Sequence, residues 1–194
     1  PKLAVTSTLR AEATQAEAIQ IMNEFSGQPK PLMGACWLNN YLYLRLSGAE
    51  SAVEGTLTQW HKKLTNSKEL SLPDALSFWS NLREQSDSFF SERDAGESLW
   101  RFSLSSAAPV HLEGERWLLD WAGSQRFLKG EFPQTELSAW AREHGGEVVL
   151  YQGGDRTQEI ITEPNSVMKT LQKNIKHSFD PQNIFNAGRL YSWM

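Results

Sequence analysis

Three arginines that lie within apolar or aromatic stretches are the side chains best suited to binding chemistry. Arg83 follows a helix-like stretch, Arg101 lies in a strand-like alternation, and Arg126 follows a turn. A guanidinium group binds a carboxylate through two parallel hydrogen bonds, so these residues are candidates for facing a carboxylate ligand. Two alternatives stay open. Each arginine forms a buried ion pair, with Asp120 as a candidate partner, or lies exposed while its stem covers apolar surface.

The other patterns that carry chemistry are weak in this sequence. The histidines lack the spacing of metal ligands, so we expect surface or capping roles for His61, His111, His144 and His177 and no metal site. No G-x-S-x-G motif occurs. The stretch Gly153-Gly154-Asp155-Arg156 lacks the lysine of a phosphate-binding loop, and we predict a turn there. The sequence alone therefore assigns no catalytic residue.

Composition limits the class of protein. The chain has 194 residues, of which 40% are hydrophobic and 22% charged, which suits one globular domain with at most a small appendage. The net charge of −4 and the lack of a basic block argue against nucleic-acid binding. No run of about 18 apolar residues predicts a membrane span. Cys36 is the only cysteine, which excludes an internal disulfide and suits a reducing, cytoplasmic compartment.

The first third of the chain predicts an α+β fold. A strand over 2–10 precedes a helix that begins with the capping box of Thr14 and Glu17. Two strands within 35–46 flank Asn39-Asn40, a pair suited to a two-residue hairpin turn, and a second helix follows over 53–64. This order is most of the ferredoxin-like, split βαβ pattern.

From this pattern we expect an antiparallel sheet with the helices on one face. Leu99 to Leu104 is the expected last strand of the unit, because its apolar and polar residues alternate. Further along, 110–112 and 116–121 predict another hairpin, and Gln134 to His144 predicts a helix. A last helix begins near Asn165, with one apolar face formed by Met168, Leu171, Ile175 and Phe179.

The C-terminal tail, Phe179 to Tyr191, follows directly on that helix. Asp180-Pro181 stops a helix, because proline has no N–H group and restricts the residue before it. The tail carries enough apolar surface to dock rather than fray, in Ile184, Phe185, Leu190 and Tyr191. From the residues alone, a helix stop with a packed tail is the favoured interpretation.

Several short motifs together resemble one family in their order along the chain. The sequence is similar, over roughly residues 80 to 191, to the C-terminal half of the GlcE-type subunits of bacterial glycolate oxidase, which are FAD-linked oxidases of the vanillyl-alcohol-oxidase type. The motifs that carry the resemblance are Arg83-Glu84-Gln85 with Phe89-Phe90, Leu99-Trp100-Arg101, Leu119-Asp120-Trp121 with Gln125-Arg126, Gly153-Gly154-Asp155, and the tail. In one respect the tail departs from the family, because Ala187 stands where proline is usual.

The resemblance implies a complex that oxidises glycolate, a small 2-hydroxy acid, to glyoxylate through FAD. Its partners would be a flavin-binding D-type subunit and an iron–sulfur F-type subunit, and the complex would be peripheral to the inner membrane. Residues 1–178 would be a cap or substrate-type domain, and 179–194 a tail that returns to an FAD-binding domain outside this sequence. Asn186 and Arg189 would approach the flavin, while the chain by itself is not expected to hold FAD.

Two interpretations of function therefore remain open. No histidine or carboxylate cluster accompanies the arginines, which leads to the hypothesis that this subunit binds flavin and relays electrons without oxidising the substrate itself. The alternative from a different class is a non-catalytic regulatory or assembly module with a ferredoxin-like fold, since fold alone does not define function.

Overall fold

A computed structural model describes residues 5–64, 66–92, 94, 96–112, 116–157 and 159–194. Strands and helices alternate along the first half of the chain, and strands dominate the middle. In chain order the elements are β1 (Val5–Glu12), α1 (Gln15–Ser26), β2 (Leu32–Leu38), β3 (Tyr41–Gly48), α2 (Glu50–Lys63), β4 (Lys68–Glu69), α3 (Leu72–Glu84), α4 (Ser88–Ser91), β5 (Leu99–Ser103), β6 (Trp117–Asp120), β7 (Gln125–Lys129), α5 (Gln134–Glu143), β8 (Glu147–Gln152) and α6 (Ser166–Phe179).

The described strands form one sheet in the order β4-β1-β3-β2-β6-β7-β5-β8, and each neighbouring pair is antiparallel. The first four strands and the two helices between them have the predicted βαββαβ order. The second group of strands extends the same sheet through the pairing of β2 with β6. The α+β class with an antiparallel sheet is thereby confirmed.

The hairpin between β2 and β3 shows how the sequence specifies local structure. Asn39 and Asn40 both have positive φ, 51° and 62°, as a tight two-residue turn requires. The side chains of β3 then alternate, so Leu42, Leu44 and Leu46 enter the core on one face of the sheet. The predicted turn is therefore confirmed, and the alternation of residue types along β3 matches its buried face.

Both faces of the sheet are covered, which differs from the expectation of helices on one face. The larger core packs α1, α2 and α5 against one face, whereas α3 and α4 cover the other face around Leu82, Phe89 and Phe90. The physical reason lies in the strands, because β2 and β6 are apolar on both faces. Cys36 and Leu118 point towards α3 and α4, while their neighbours point into the larger core.

Two strand assignments also need correction. The fourth strand of the βαββαβ unit is β4, which pairs with β1, whereas residues 99–103 form β5 in the second group of strands. The predicted partner of β6, residues 110–112, is not a strand, and β6 pairs instead with β2 and β7. The turn proposed at 113–115 lies outside the described residues. Alternation by itself shows that a stretch is a strand and does not show its neighbour.

Candidate functional site

Arg126 is surrounded by backbone carbonyl groups of two loops. Its side chain is fully buried, with 0% exposure, on the larger-core face of β7. The guanidinium donates to the carbonyl oxygens of Gly123 and Pro109, both at 2.9 Å, of Ala108 at 2.5 Å and of Ser106 at 3.5 Å. Burial lowers its pKa to about 10, so the group stays charged near neutral pH. Its donors bind the backbone of two loops, and the substrate-facing role stays a prediction.

Arg101 lies on the opposite face of the sheet, towards α3 and α4. Its guanidinium packs over the ring of Tyr151, with 5.1 Å to the ring centroid, and the Tyr151 hydroxyl contacts Gln85 Oε1 at 3.2 Å. The Arg101 Nε is buried and has no hydrogen-bond acceptor among the described residues. A buried donor without a partner costs about 1–3 kcal/mol. Arg101 therefore has a buried donor that no acceptor among the described residues uses.

Arg83 lies at the end of α3 and is exposed. Its Nε donates to the adjacent Glu84 at 2.7 Å, and both side chains remain largely in water. Such a pair contributes little to stability. Arg83 also borders an open groove of about 530 Å³ between α3 and the ends of β2 and β6, which we call the α3 groove. The side chains that define it are Met33, Arg45, Leu76, Arg83, Asp120 and Trp121.

The end of β6 forms one wall of the α3 groove. Asp120 accepts a hydrogen bond from the Trp121 N–H at 2.8 Å, and burial raises the pKa of its carboxyl group against that favourable contact. Trp121 and Ala122 are consecutive non-glycine residues with positive φ, 51° and 54°. This backbone holds the Trp121 side chain 68% exposed. Non-glycine residues in the left-handed region store strain, which tends to occur at functional sites.

Helix α6 leaves its apolar face uncovered. The predicted periodicity is correct, but none of the residues of α6 is buried, and Phe179 is 85% exposed. We call the exposed apolar face the tail surface. It comprises Met168, Leu171, Ile175 and Phe179 on α6, followed by Ile184, Phe185 and Leu190. The expectation of a tail packed within this chain is wrong for these last three residues.

The tail is nevertheless held in a defined shape at its start. Buried Asp180 accepts hydrogen bonds from the backbone N–H groups of Ile184 and Phe185, both at 2.9 Å, and pairs with Lys176. The Lys176 ammonium group also donates to the Phe185 carbonyl oxygen at 2.5 Å. The contact with Lys176, together with the two N–H groups, lowers the pKa of Asp180 to about 2. Exposure of the tail surface therefore does not reflect a loose turn.

The far end of the tail is tied to the domain by aromatic contacts. Tyr191 is buried and stacks on Trp193 with 4.6 Å between ring centroids. Lys169 and Lys173 of α6 lie over the Trp193 ring at 4.9 Å and 5.3 Å, and the Ser192 N–H donates to Glu159 at 2.9 Å. Because both ends are anchored, the apolar residues between them are presented outward.

Asn186 and Arg189, the candidates for contact with a flavin, line one cleft of about 520 Å³ beside the tail surface. Both side chains are exposed, and the Arg189 N–H donates to the Asn186 carbonyl oxygen at 3.0 Å across a turn. Asn186 has a positive φ of 53°, which asparagine tolerates better than most residues. The cleft joins an amide and a guanidinium group to an apolar wall formed by Ile175 and Leu190.

Other chemistry is sparse in the part of the chain that the structure describes. No group of three or more histidine, cysteine and acidic side chains is arranged there to hold a metal ion. His111 stacks on Trp140 at 4.6 Å, and burial lowers its pKa. None of the described helices is long and apolar enough to cross a membrane.

The fold and these sites define an α+β domain with two exposed apolar surfaces. Comparison with known proteins finds a similar chain. The sequence is 33% identical over 193 residues to the glycolate oxidase subunit GlcE of Escherichia coli (strain K12). This similarity confirms the resemblance inferred from the motifs. It covers 99% of this chain and 51% of that protein, so the chain spans about half the length of the relative it matches. No protein-family model matches the sequence.

Three features of these sites were not predicted from the sequence. Arg45 was unremarkable in an alternating strand, and the strained backbone at Trp121 has no signature in residue types. The Lys176–Asp180 pair does have one, since the residues are four apart at the end of a helix. That spacing, together with the N–H groups left free after a helix stop, is sufficient to suggest that the tail is organised.

Proposed function

We propose that this chain is the C-terminal part of a glycolate oxidase subunit, where it forms a cap domain over an FAD-binding domain supplied by the rest of the subunit. The complex would oxidise glycolate to glyoxylate and pass electrons to D-type flavin and F-type iron–sulfur subunits. The observation that carries this proposal is the tail surface, which is apolar and exposed although Asp180 and Tyr191 hold the tail in place. The half-length similarity to the GlcE subunit supports it.

The energetics favour burial of the tail surface in the longer protein. Removing a leucine, isoleucine or phenylalanine side chain from water stabilises a protein by about 1.5–3 kcal/mol. Large exposed apolar patches on soluble domains mark interaction sites. Because the Asp180 turn is already formed, little conformational entropy is lost when the surface is covered. Residues 179–194 then act as the segment that returns to the other domain.

The cleft at the tail has the chemistry of one side of a cofactor site. Asn186 offers both hydrogen-bond donors and an acceptor, and Arg189 offers donors and a positive charge, which suits the polar edge of a flavin. FAD would supply the acceptor for the two electrons removed from glycolate. The cleft is open, and this chain has no glycine-rich loop for the pyrophosphate. We therefore expect these two residues to complete a site that the other domain largely builds.

On the substrate side we retain Arg101 and set Arg126 aside. The buried, unpaired Nε of Arg101 suits a carboxylate ligand. In Arg126, by contrast, the Nε and both terminal NH2 groups of the guanidinium already donate to backbone carbonyl oxygens. The test is Arg101→Lys in the intact complex. Loss of glycolate turnover with unchanged flavin content would support a substrate contact, whereas unchanged turnover would support a subunit that binds flavin and relays electrons only.

The main experiment compares the 194-residue chain with the longer subunit. We expect the 194-residue chain to be colourless and the longer subunit to carry flavin. In the longer subunit, the double variant Ile175→Asp/Phe179→Asp should lose flavin, and Asn186→Ala/Arg189→Ala should bind it more weakly. The matched control is Gln59→Asp, an exposed position on α2 away from the tail. A stoichiometric yellow flavin spectrum from the 194-residue chain would overturn the proposal.

The second candidate function, a non-catalytic assembly module, is favoured by one specific observation. The α3 groove exposes Met33, Leu76 and Trp121 at a distance from the tail surface. Absence of flavin from the longer subunit, with retained binding to other subunits, would favour this candidate. Either function is compatible with a cytoplasmic subunit that reaches the inner membrane only through its complex.

A further inference from the structure

The large apolar side chains that are exposed in the described part of the chain group on two separate surfaces. One is the tail surface with the neighbouring Val167. The other is the α3 groove, where Met33, Leu76 and Trp121 are 63%, 55% and 68% exposed, with Leu72 one turn before Leu76 on α3. The proposed cap function uses the first surface and leaves the second unexplained.

The sheet keeps the two surfaces apart. The α3 groove lies over β3 and β2, since Arg45 and Met33 belong to those strands. Helix α6 and Tyr191 share a cleft with Glu147 of β8, which is an edge strand of the sheet. Asp120 brings β6 into the groove as well, and from β6 to β8 the sheet passes through β7 and β5, a separation of about 14 Å at the usual strand spacing. A short segment that covers the tail surface does not reach the groove.

The residue types of the α3 groove match those of a protein–protein interface. Tryptophan, methionine and arginine are enriched at the centre of such interfaces and lysine is depleted. Trp79 forms part of the groove and is fixed by its Nε1–H, which donates to Thr8 Oγ1 at 2.9 Å. On the other wall, the left-handed backbone of Trp121 and Ala122 holds an indole in water.

Charge indicates the kind of partner. Arg45 and Arg83 border the α3 groove, on a chain whose net charge is −4. The Arg83–Glu84 pair is exposed, so Arg83 is free to exchange it for another carboxylate at small cost. The Asp120 carboxylate lies at the end of β6, where it accepts a hydrogen bond from the Trp121 N–H. An apolar segment flanked by aspartate or glutamate therefore complements this groove.

We propose that the α3 groove binds an apolar, acidic segment of a second protein chain, another subunit of the same complex. This rests on the proposed function, because it takes the partner from that complex. The apolar side chain of the segment packs between Trp121 and Leu76, and its carboxylates pair with Arg45 and Arg83. The tail surface serves the contact within the subunit, and the α3 groove serves the contact between subunits.

The test is a photo-crosslink in the assembled complex. Met33→p-benzoylphenylalanine in the longer subunit should crosslink to another subunit, and the same substitution at Lys62, on α2 at the opposite face, should not. A crosslink from position 33 only to its own chain would overturn the proposal, since the other domain of the subunit would then occupy the groove. No crosslink at all would also overturn it.

A second measurement separates this proposal from the cap function. Met33→Asp/Leu76→Asp should reduce the recovery of other subunits with the tagged subunit about tenfold or more, with its flavin content unchanged. Gln59→Asp is the matched control on the other face. If the longer subunit lacks flavin from the start, the proposed function fails. If it holds flavin and the double variant still recovers every subunit, only the groove proposal fails.

Discussion

At the scale of single residues, the three arginines differ in what their donors meet. Arg126 binds carbonyl oxygens of two loops, Arg101 keeps a buried Nε without an acceptor, and Arg83 pairs in water with its neighbour Glu84. Arg126 therefore stabilises two loops, Arg101 is a candidate ligand contact, and Arg83 is a surface charge. Only its surroundings distinguish these roles.

Arg126 should be essential for stability. Arg126→Ala leaves the carbonyl oxygens of Ala108, Pro109 and Gly123 buried without a donor, and we expect the free energy of unfolding to fall by about 3 kcal/mol or more. Arg126→Lys should recover only part of that loss, because an ammonium group lacks the planar fork that reaches several acceptors. Urea denaturation provides the measurement. The control, exposed Arg83→Ala, should stay within about 0.5 kcal/mol of the native chain.

Asp180 should make the order of the tail depend on pH. Its pKa is lowered to about 2, so its stabilising effect is fully present above the unfolded-state value of about 4 and is lost as the pH falls from there towards 2. We expect the amide NMR signals of Ile184 and Phe185 to shift over this interval. Asp180→Asn should abolish the transition. A native tail whose amide signals do not change between pH 5 and pH 2 would contradict this assignment.

At the scale of elements, α1 and α6 have the same apolar periodicity and opposite environments. Ala18, Met22 and Phe25 of α1 are buried against the sheet, whereas Leu171 and Ile175 of α6 remain in water. Periodicity predicts a face that needs cover and does not identify what covers it. For α6 the cover lies outside this domain in the function that we propose.

The helix starts allow a test at this scale. Thr14 forms a complete capping box at α1, whereas Ala49 at the start of α2 provides no side-chain cap. Ala49 already has the extended backbone of an N-cap residue, so Ala49→Asp should stabilise the chain by about 0.5–1 kcal/mol, and Thr14→Ala should destabilise it by about 1 kcal/mol. Thermal unfolding followed by circular dichroism measures both. If both variants shifted the melting temperature equally and in the same direction, the N-cap side chains would not determine the stability of the chain.

At the scale of the whole molecule, the two faces of the sheet are covered by helices, and two apolar surfaces remain exposed. Strands β2 and β6 join the βαββαβ unit to the second group of strands, and their apolar residues on both faces explain why helices cover both sides. The tail surface lies near the edge strand β8, whereas the α3 groove lies over the central strands β3, β2 and β6. In the functions that we propose, the tail surface contacts the rest of the subunit and the α3 groove contacts another subunit.

The isolated chain should behave as a domain with an uncovered surface. We expect it to bind the dye ANS and to self-associate at high concentration, because the tail surface is apolar and ordered. Phe179→Asp should lower the dye fluorescence and the light scattering, with the free energy of unfolding unchanged within about 0.5 kcal/mol. Gln59→Asp controls for the added charge. If Phe179→Asp left the dye fluorescence unchanged, the apolar surface that binds the dye would lie elsewhere on the chain.

The sequence by itself determined the features that depend on neighbours along the chain. The capping box at Thr14, the Asn39-Asn40 turn, the alternation of β3 and the apolar face of α6 all follow from local geometry. The motifs beside Arg83, Arg101 and Asp120 were likewise sufficient to indicate the GlcE resemblance. Each of these depends on spacing or residue order, which the sequence contains.

Only the tertiary structure decided which elements meet and which side chains are left over. It showed that residues 99–103 belong to the second group of strands and not to the end of the first unit. It also showed that α3 and α4 cover the second face of the sheet and that Arg126 binds the backbone of two loops. It also showed that the tail is held by Asp180 while its apolar residues stay exposed. Burial and pairing result from contacts between residues far apart in sequence, and local patterns do not contain that information.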